Sequence, residues 1–484
     1  MTGKVIDAET SGRLRTAWLR SGYWPEALRD RFGATAMSQA DRGDYRAVMR
    51  QLGDGVQDTW VRWFTLGMSV SPSEARSALD PLTVDGAREI GLLTAELTSG
   101  WGLQFDPAGH AIFSDQLAGM RGARSRDHVL GIGGASRLLW DVTLRRDVAS
   151  VLDVGTGSGI QAFHATARAS HVTATDLSER ALAFALLNAG VNDLEVDWRQ
   201  GDLIEPVAGR TFDQVIANPP FVVGTPGEGW THRDGGRAAD AIGAELAASA
   251  PTVLNPGGTM QFLANWLHRK GEPWTERVGS WIPEDDVTAW VVQREVVDPL
   301  DYVRTWQADA GQQHDAEQAA EWLNWFDERE VEGIGFGFVN LRRTPGFSRV
   351  RCDDLRHAVA EPWSDLVERM LFHRLVSWEP DRLWNAALVL CPNVRLGQFA
   401  TIGTDGWEVE RQWIESHGDL GVAEEIDPLI VEFLGNCDGS VPVGALVSVF
   451  ADAYGSDTGA LYAGLFPVIK HFLESGYLTV ASES

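Results

Sequence analysis

One nine-residue segment constrains the fold more than any other, because it joins an apolar strand to a turn with three glycines. Residues 151–159 read Val-Leu-Asp-Val-Gly-Thr-Gly-Ser-Gly, and a helical stretch follows at residues 160–169. Glycine lets the backbone turn tightly and approach a ligand without a Cβ in the way. The segment is therefore typical of the first strand, turn and helix of a ligand-binding α/β sheet.

The middle of the chain continues this pattern, since short apolar strands alternate with helical stretches from about Ser150 to Arg343. Such alternation predicts a parallel sheet with helices on both faces. A tryptophan-rich helical insert, residues 315–328, precedes the last strand. We therefore predict a Rossmann-like, doubly wound α/β domain of seven strands. The seven candidate strands are residues 150–155, 171–176, 194–200, 212–218, 259–266, 288–296 and 333–341.

Both ends of the chain predict small helical domains. In residues 59–105, three helical stretches precede a candidate strand, and Ser71 or Ser73 is placed to cap the second helix. Residues 427–480 repeat three helices and a strand, an arrangement that resembles a winged-helix unit. Winged helices bind nucleic acid or serve for packing and dimerisation, and the lack of basic character in both segments favours packing. The predicted domains are residues 1–120 (helical, winged-helix-like), 121–345 (α/β), 346–420 (an unassigned connecting region) and 421–484 (winged-helix-like).

The charge balance excludes one class of function. Acidic residues number 68 against 41 basic ones, so the formal net charge is −27. A field of this sign repels phosphate backbones, and we therefore expect no non-specific binding to DNA. The three cysteines lie far apart, without CxxC or HExxH motifs, so neither a metal site nor a disulfide framework is predicted. A cytoplasmic location fits, and no stretch predicts a signal peptide or a membrane span.

Two carboxylates follow the glycine turn at the spacing of a nucleoside-binding site. Asp176 ends the second candidate strand, 21 residues beyond Gly155, where its side chain would accept hydrogen bonds from ribose hydroxyls. Asp202 follows the third candidate strand. Because ligands of open α/β sheets bind at the carboxyl ends of the strands, we expect the turn and both carboxylates to form one site.

Two cofactor classes fit a glycine turn of this kind, a nicotinamide or flavin dinucleotide and S-adenosylmethionine. The dinucleotide fingerprint GxGxxG requires glycine where this chain has Ile160. Asp153 lies just before the glycines, where it would repel a pyrophosphate and attract the cationic methionyl end of S-adenosylmethionine. The turn by itself thus favours S-adenosylmethionine and leaves the dinucleotide as an alternative.

The motif at the end of the fourth candidate strand decides between these classes. Residues 212–217 run directly into Asn218-Pro219-Pro220-Phe221. With the glycine turn and the spaced carboxylates, residues 120–345 resemble the class I S-adenosylmethionine-dependent methyltransferases that carry an (Asp/Asn)-Pro-Pro-(Tyr/Phe) motif. That group includes small-domain rRNA guanine methyltransferases, adenine amino-methyltransferases and release-factor glutamine methyltransferases.

The resemblance implies an N-methyltransferase that uses S-adenosyl-L-methionine. Asn218 and Pro219 would accept the two hydrogens of a planar nitrogen through their side-chain and main-chain oxygens, and Phe221 would stack on the acceptor. The implied catalytic residues are Asn218, Pro219, Pro220 and Phe221. The implied cofactor-binding residues are Asp153, Gly155, Thr156, Gly157, Gly159, Asp176, Leu177, Asp202, Leu203 and Asn218.

The acceptor implied by the motif is a planar nitrogen, and we expect a nucleobase amine in rRNA or tRNA. The negative charge favours the alternative, a glutamine amide in a protein of translation. A third hypothesis is a scaffold that binds S-adenosylmethionine without catalysis. For the motif itself, the structural alternative is that its prolines only end a strand.

Two flanking segments and two histidines complete the candidates. Residues 127–136 precede the first strand, and we interpret them as a cover for the cofactor or an ordinary turn. Residues 222–237 follow the motif and are either a loop that orders around the substrate or a solvated loop. His164 and His171 are interpreted as structural residues.

Overall fold

The structure is a computed structural model. The residues that it describes are 7–116, 127–220, 222–224, 240–310, 315–359, 362–404, 406–417 and 420–481. The chain divides into two compact units, of which the first contains Met1–Val287 and Val291–Cys352 and the second contains Thr288–Trp290 and Asp353–Ser484. The domain boundaries drawn from the sequence stay a prediction.

The first unit begins with helices and a two-stranded hairpin. These elements are α1 (Ala8–Ser21), α2 (Pro25–Phe32), α3 (Ala34–Ala40), α4 (Arg46–Met49), α5 (Val56–Phe64), α6 (Pro72–Leu79), α7 (Val84–Glu89), β1 (Trp101–Phe105) and β2 (Ala111–Asp115). Ser71 caps α6 as predicted, because its side chain accepts from the Glu74 amide while Glu74 bonds back to the Ser71 amide. Trp60 and Trp63 of α5 are fully buried in the core of this part.

The α/β part of the first unit follows. Its elements are α8 (Gly134–Val142), β3 (Val148–Val154), α9 (Ile160–Thr166), β4 (Ala169–Asp176), α10 (Glu179–Asn192), β5 (Asp197–Gln200), β6 (Phe212–Ala217), α11 (Ala241–Val253), β7 (Leu254–Arg269), α12 (Trp274–Gly279), β8 (Asp285–Val297), α13 (Pro299–Ala310), α14 (Ala316–Asp327), β9 (Val331–Phe347) and β10 (Arg349–Asp354), with a 3₁₀ turn at Glu205–Val207.

These strands form one sheet in the order β10-β8-β9-β7-β6-β3-β4-β5. The pairs β3–β4, β3–β6, β4–β5 and β6–β7 are parallel, whereas β7–β9 is antiparallel. The predicted Rossmann-like α/β fold is confirmed. The expected strand number is corrected from seven to eight, because Arg349–Asp354, in the region that was left unassigned, pairs with β8 and forms β10.

The strand order fixes where a ligand can bind. From β3 the sheet grows through β4 to β5 on one side and through β6 to β7 on the other, so the connections from β3 and β6 leave in opposite directions. In open α/β sheets the crevice at the carboxyl ends of such a strand pair is the ligand site. The glycine turn follows β3 and the Asn-Pro-Pro-Phe motif follows β6, which places both at this crevice.

The second unit contains two three-stranded sheets, ordered β15-β11-β16 and β12-β13-β14. Its elements are α15 (Trp363–Arg369), a π-helical turn (Met370–Arg374), α16 (Pro380–Trp384), β11 (Ala387–Leu390), β12 (Val394–Gly403), β13 (Gly406–Ser416), β14 (Ala423–Glu425), α17 (Pro428–Gly435), β15 (Asp438–Pro442), α18 (Val443–Tyr454), α19 (Thr458–Ser475) and β16 (Leu478–Val480). The winged-helix class of both ends stays a prediction. Across the described residues, no helix combines the length and apolar character needed to cross a bilayer.

Candidate active site

The glycine turn after β3 has the backbone conformation that its sequence requires. Gly155, Gly157 and Gly159 have φ values of +69°, +58° and +95°, a region that L side chains rarely adopt. A Cβ on Gly159 would lie 2.4 Å from the ring of Phe163. A Cβ on Gly155 would lie 4.0 Å from the carbonyl oxygen of Asn218. The turn therefore passes directly beside the motif after β6.

Asp153 is the buried carboxylate at the end of β3. Its Oδ2 accepts hydrogen bonds from Thr156 Oγ1 at 2.6 Å and from the Ala162 amide at 3.0 Å, which ties the turn to the first turn of α9. Burial raises the pKa of Asp153 to about 7, and the nearby charge of Asp176 adds to this increase. Its contact with a cationic ligand stays a prediction.

Asp176 joins the glycine turn to the end of β4. Its Oδ2 accepts from the Gly157 amide and its Oδ1 accepts from the Ser178 amide, both at 2.8 Å. Burial raises the pKa of Asp176 above its usual range. The structure thus brings Asp153, the glycine turn and Asp176 together. That these groups and Asp202 form one binding site stays a prediction. Ribose binding by Asp176 stays a prediction.

The remaining cofactor candidates follow β4 and β5. Leu177 is exposed over 53% of its surface, directly beyond the buried end of β4. Leu203 has a φ of +43°, and its carbonyl oxygen accepts from Thr175 Oγ1 at 2.8 Å. A cleft lies between the segment after β5 and α11. It is lined by Asp202, Leu203, Ile204, Glu205, Glu245, Leu246 and Ser249.

The motif after β6 contains an unsatisfied buried acceptor. Among the residues that the structure describes, Asn218 Oδ1 is buried and has no hydrogen-bond partner. Pro219 is buried and Pro220 is half-buried beside it. Phe221 lies outside the described residues. A buried polar atom without a partner costs free energy, so the Asn218 oxygen is a natural acceptor for a hydrogen of a bound substrate.

The segment before α8 touches the glycine turn. Ser158 Oγ donates to the carbonyl oxygen of Leu130 at 3.0 Å, and Gln161 Nε2 donates to that of Ser136 at 2.8 Å. Residues 127–136 are thus placed beside the cofactor candidates. Their role as a cover for a cofactor stays a prediction. Of residues 222–237, only 222–224 fall within the described part of the chain.

Sequence reasoning missed Asn188, which links the turn to the amino-terminal hairpin. Its Oδ1 accepts from the Phe113 amide at 2.8 Å, and its Nδ2 donates to the carbonyl oxygens of Phe113 and Ser158, both at 2.9 Å. Asn192, one helical turn later, bonds to Ala111 in the same way. A pair of asparagines four residues apart in an apolar helix was the available signal.

The structure also brings together three potential metal ligands that the motif search could not find. Asp106 Oδ2 lies 2.7 Å from His110 Nδ1 and 2.8 Å from His164 Nε2. Hydrogen bonds from the two histidines hold the pKa of Asp106 well below its usual range, although burial opposes them. The two hydrogen bonds connect the turn between β1 and β2 to α9, so the cluster has a structural role without a metal ion. His171 is exposed on β4.

The fold is that of a Rossmann-like domain, and the glycine turn, Asp176 and the Asn-Pro-Pro-Phe motif lie at the carboxyl ends of its central strands. Residues 130–273 match the family model described as methyltransferase small domain. For that domain, this match confirms the predicted resemblance to S-adenosylmethionine-dependent methyltransferases, with their enzyme class and cofactor class. The Asn-Pro-Pro-Phe motif as part of the resemblance stays a prediction. Two domains of unknown function, DUF7059 and DUF7782, match residues 20–101 and 365–480.

The two curated relatives described here are similar to this chain over about a quarter of its length. A release factor glutamine methyltransferase from Xylella fastidiosa (strain 9a5c) is 35% identical over 130 residues, which cover 24% of this chain and 46% of that protein. A ribosomal RNA small subunit methyltransferase C from Alcanivorax borkumensis is 33% identical over 115 residues, which cover 24% of this chain and 32% of that protein. This chain therefore spans less than half the length of either relative.

Among solved structures, the T. thermophilus 16S rRNA N2 G1207 methyltransferase in complex with AdoMet and guanosine is 18% identical to this chain. The likeness covers 38% of this chain and 46% of that one, with a TM-score of 0.27. That score is too low to support a conclusion about this chain.

Proposed function

We propose that this protein transfers a methyl group from S-adenosylmethionine to a planar nitrogen. The observation that supports this most directly is Asn218 Oδ1, which is buried and has no hydrogen-bond partner among the described residues. The main-chain carbonyl oxygen of the same residue lies beside Gly155 of the glycine turn. A planar amine or amide nitrogen is a poor nucleophile because its lone pair is conjugated. An acceptor oxygen that binds its hydrogen favours the tetrahedral geometry in which the lone pair can react.

The residues present fit the cofactor that the family implies. S-adenosylmethionine, when bound, supplies an electrophilic methyl group on a sulfonium. Asp176 would hold the ribose, exposed Leu177 would contact the adenine, and Asp153 would favour the cationic end. Asn218 Oδ1 and the Pro219 carbonyl oxygen would accept the two hydrogens of the acceptor nitrogen. Catalysis is then mainly alignment, since the nitrogen loses its proton after it has been methylated.

The proposal also concerns the class of molecule that accepts the methyl group, either RNA or protein. A nucleobase amine in rRNA or tRNA fits the motif, and one relative is named as a ribosomal RNA methyltransferase. A glutamine amide in a protein of translation fits it equally, and the net charge of −27 favours this second candidate because it opposes binding to RNA. The first relative described above is named as a release factor glutamine methyltransferase.

The experiment that tests the function uses methyl-labelled S-adenosylmethionine and a lysate of a strain that lacks this protein. We expect labelled macromolecular product with the wild-type chain and far less with Asn218→Ala. Loss of the label after RNase treatment identifies an RNA acceptor, and loss after protease treatment identifies a protein. A wild-type chain that binds the cofactor but labels neither class would contradict the proposal and favour the scaffold hypothesis.

Cofactor binding is expected to depend on pH through Asp153. Its pKa of about 7 means that the carboxyl is largely neutral below pH 7, whereas a cationic ligand prefers the ionised form. The affinity for S-adenosylmethionine should therefore increase as the pH rises towards 7, by at most about tenfold per pH unit, and level off above it. Calorimetry between about pH 5.5 and 8.5 measures this change.

The matched variant is Asp153→Asn, which keeps the shape of the side chain and removes its titration. The ligand and Asp176 also titrate, so the test compares the two pH profiles rather than either one alone. We expect the Asp153→Asn profile to be flatter below pH 7. Superimposable profiles would show that Asp153 does not face the cationic end of the ligand.

A further inference from the structure

The backbone just beyond the Asn-Pro-Pro-Phe motif is held by two side chains, one from α13 and one from α14. The amide of Val223 donates a hydrogen bond to the hydroxyl of Tyr302 at 2.8 Å. The indole Nε1 of Trp322 donates to the carbonyl oxygen of Val223 at 3.0 Å. Both polar groups of one residue's backbone are therefore bound by side chains from a distant part of the sequence.

Tyr302 is itself fixed by the central sheet. It is 4% exposed, and Asn265 Nδ2 on β7 donates to its hydroxyl at 2.8 Å. Aromatic rings pack edge-on around it, with the centroids of Trp306 and Trp322 both 6.0 Å away. A side chain enclosed in this way has little freedom to move, so the position of its hydroxyl is set by the sheet and the insert.

Gly224 allows the second contact. A Cβ at this position would lie 2.6 Å from Trp322 Nε1, closer than two such atoms can approach. The missing side chain therefore lets the indole lie against the backbone that it binds. Val222 and Val223 are buried in the same apolar cluster as Trp325 and Phe326, and this packing stabilises the contact between Trp322 and Val223.

We infer that Tyr302 and Trp322 are positioning residues for methyl transfer, which fix the motif from its carboxyl-terminal side and so aim the Asn218 carboxamide. This inference rests on the proposed function. On the other side, the motif is fixed by the pairing of β6 with β3 and β7 and by the approach of Gly155. Pro219 and Pro220 restrict the backbone between Asn218 and Val223. A displacement of Val223 would therefore also displace Asn218.

The effect should appear in the rate and not in cofactor binding. Methyl transfer depends on the alignment of the acceptor with the methyl group, and a misplacement of about 1 Å costs about 100-fold in rate. Tyr302 and Trp322 contact the segment after the motif, whereas the predicted cofactor contacts other than Asn218 lie at the carboxyl ends of β3, β4 and β5. We therefore expect Tyr302→Phe to lower the single-turnover rate by about 10- to 100-fold, with an unchanged dissociation constant for S-adenosylmethionine.

Hydrogen exchange provides a readout that needs no acceptor substrate. Tyr302→Phe removes one hydroxyl, and we expect faster exchange of the Val223 amide in the folded protein. Tyr23→Phe is the matched control, because Tyr23 is also buried and its hydroxyl bonds to Thr65 Oγ1 at 2.9 Å, away from the motif. The control should lose stability without changing either exchange at Val223 or the rate of transfer.

Each outcome bears on the inference. Unchanged exchange at Val223 in Tyr302→Phe would overturn the contact, and faster exchange with a wild-type rate would overturn the positioning role. Trp322→Phe and Gly224→Ala act on the same backbone from the other side, so they decide the matter if Tyr302→Phe does not fold. A wild-type chain that methylates neither RNA nor protein would overturn the proposed function itself, which is a different result from a slow variant of an active enzyme.

Discussion

Replacing Asn218 by alanine should lower the rate of methyl transfer by about 10²- to 10³-fold, the usual loss when one hydrogen-bonding group that acts in a transition state is removed. Asn218 Oδ1 has no hydrogen-bond partner among the described residues. Its proposed hydrogen bond to the acceptor nitrogen therefore forms only when substrate is bound. A bond that strengthens as the nitrogen loses planarity lowers the barrier more than it stabilises the bound substrate. Single-turnover kinetics measure the rate, and calorimetry should show that the cofactor affinity changes little, because the proposed partner of the side chain is the acceptor nitrogen.

Asn255 offers a matched control for this substitution. It also precedes a proline, and its Nδ2 donates to Asp213 Oδ1 at 2.7 Å. It lies where β7 begins, at the end of the parallel strands opposite to the glycine turn. Asn255→Ala should reduce stability and leave the rate unchanged. If Asn218→Ala transfers methyl groups at the wild-type rate, the catalytic role is wrong and the motif serves only to end β6.

Replacing Asp176 by alanine should weaken the binding of S-adenosylmethionine by about 1.5–3 kcal/mol, or about 10- to 150-fold. Two lost sets of hydrogen bonds contribute to this weakening. The ribose would lose a charged hydrogen-bond acceptor, and the amides of Gly157 and Ser178 would lose the carboxylate that now holds the glycine turn to β4. The measurement is the dissociation constant by calorimetry, with thermal unfolding recorded for the same samples.

Asp213→Ala is a control that separates the loss of the ribose contact from the loss of a hydrogen-bonded backbone. Its Oδ2 accepts from the amides of Ala149 and Ser150 at 3.0 and 2.9 Å, so it also holds a backbone through a carboxylate, but where β3 begins. Asp213→Ala should therefore destabilise the fold and leave cofactor affinity unchanged. An unchanged dissociation constant in Asp176→Ala, or an equal weakening in both variants, would show that the ribose site has been misplaced.

The site could be predicted from the sequence because its signals are local. Each candidate follows directly after an apolar strand, and parallel strands bring their carboxyl ends to one edge without further information. The prediction for β3 was residues 150–155, and the strand is Val148–Val154. Gly155, Gly157 and Gly159 were recognised from their spacing directly after an apolar strand, and all three have positive φ values in the structure.

What the sequence could not show depends on pairing between distant segments. β11 lies in the region left unassigned because its four residues gain their strand partners only from β15 and β16. The cluster of Asp106, His110 and His164 joins positions 58 residues apart. The hydrogen bond between Tyr302 and Val223 joins residues 79 positions apart, and no local pattern in the sequence marks Tyr302.

The link through Asn188 has a consequence for how the protein loses its structure. Helix α10 carries Asn188 on the side that faces the hairpin, and its residues Phe184 and Leu187 belong to the same apolar core as Trp60 and Trp101 of the amino-terminal part. Buried apolar contacts of this kind make neighbouring elements open as one cooperative unit. The rigidity of the glycine turn thus depends on helices that are remote from the candidate active site. We therefore expect a destabilising substitution in α5 to weaken cofactor binding as well.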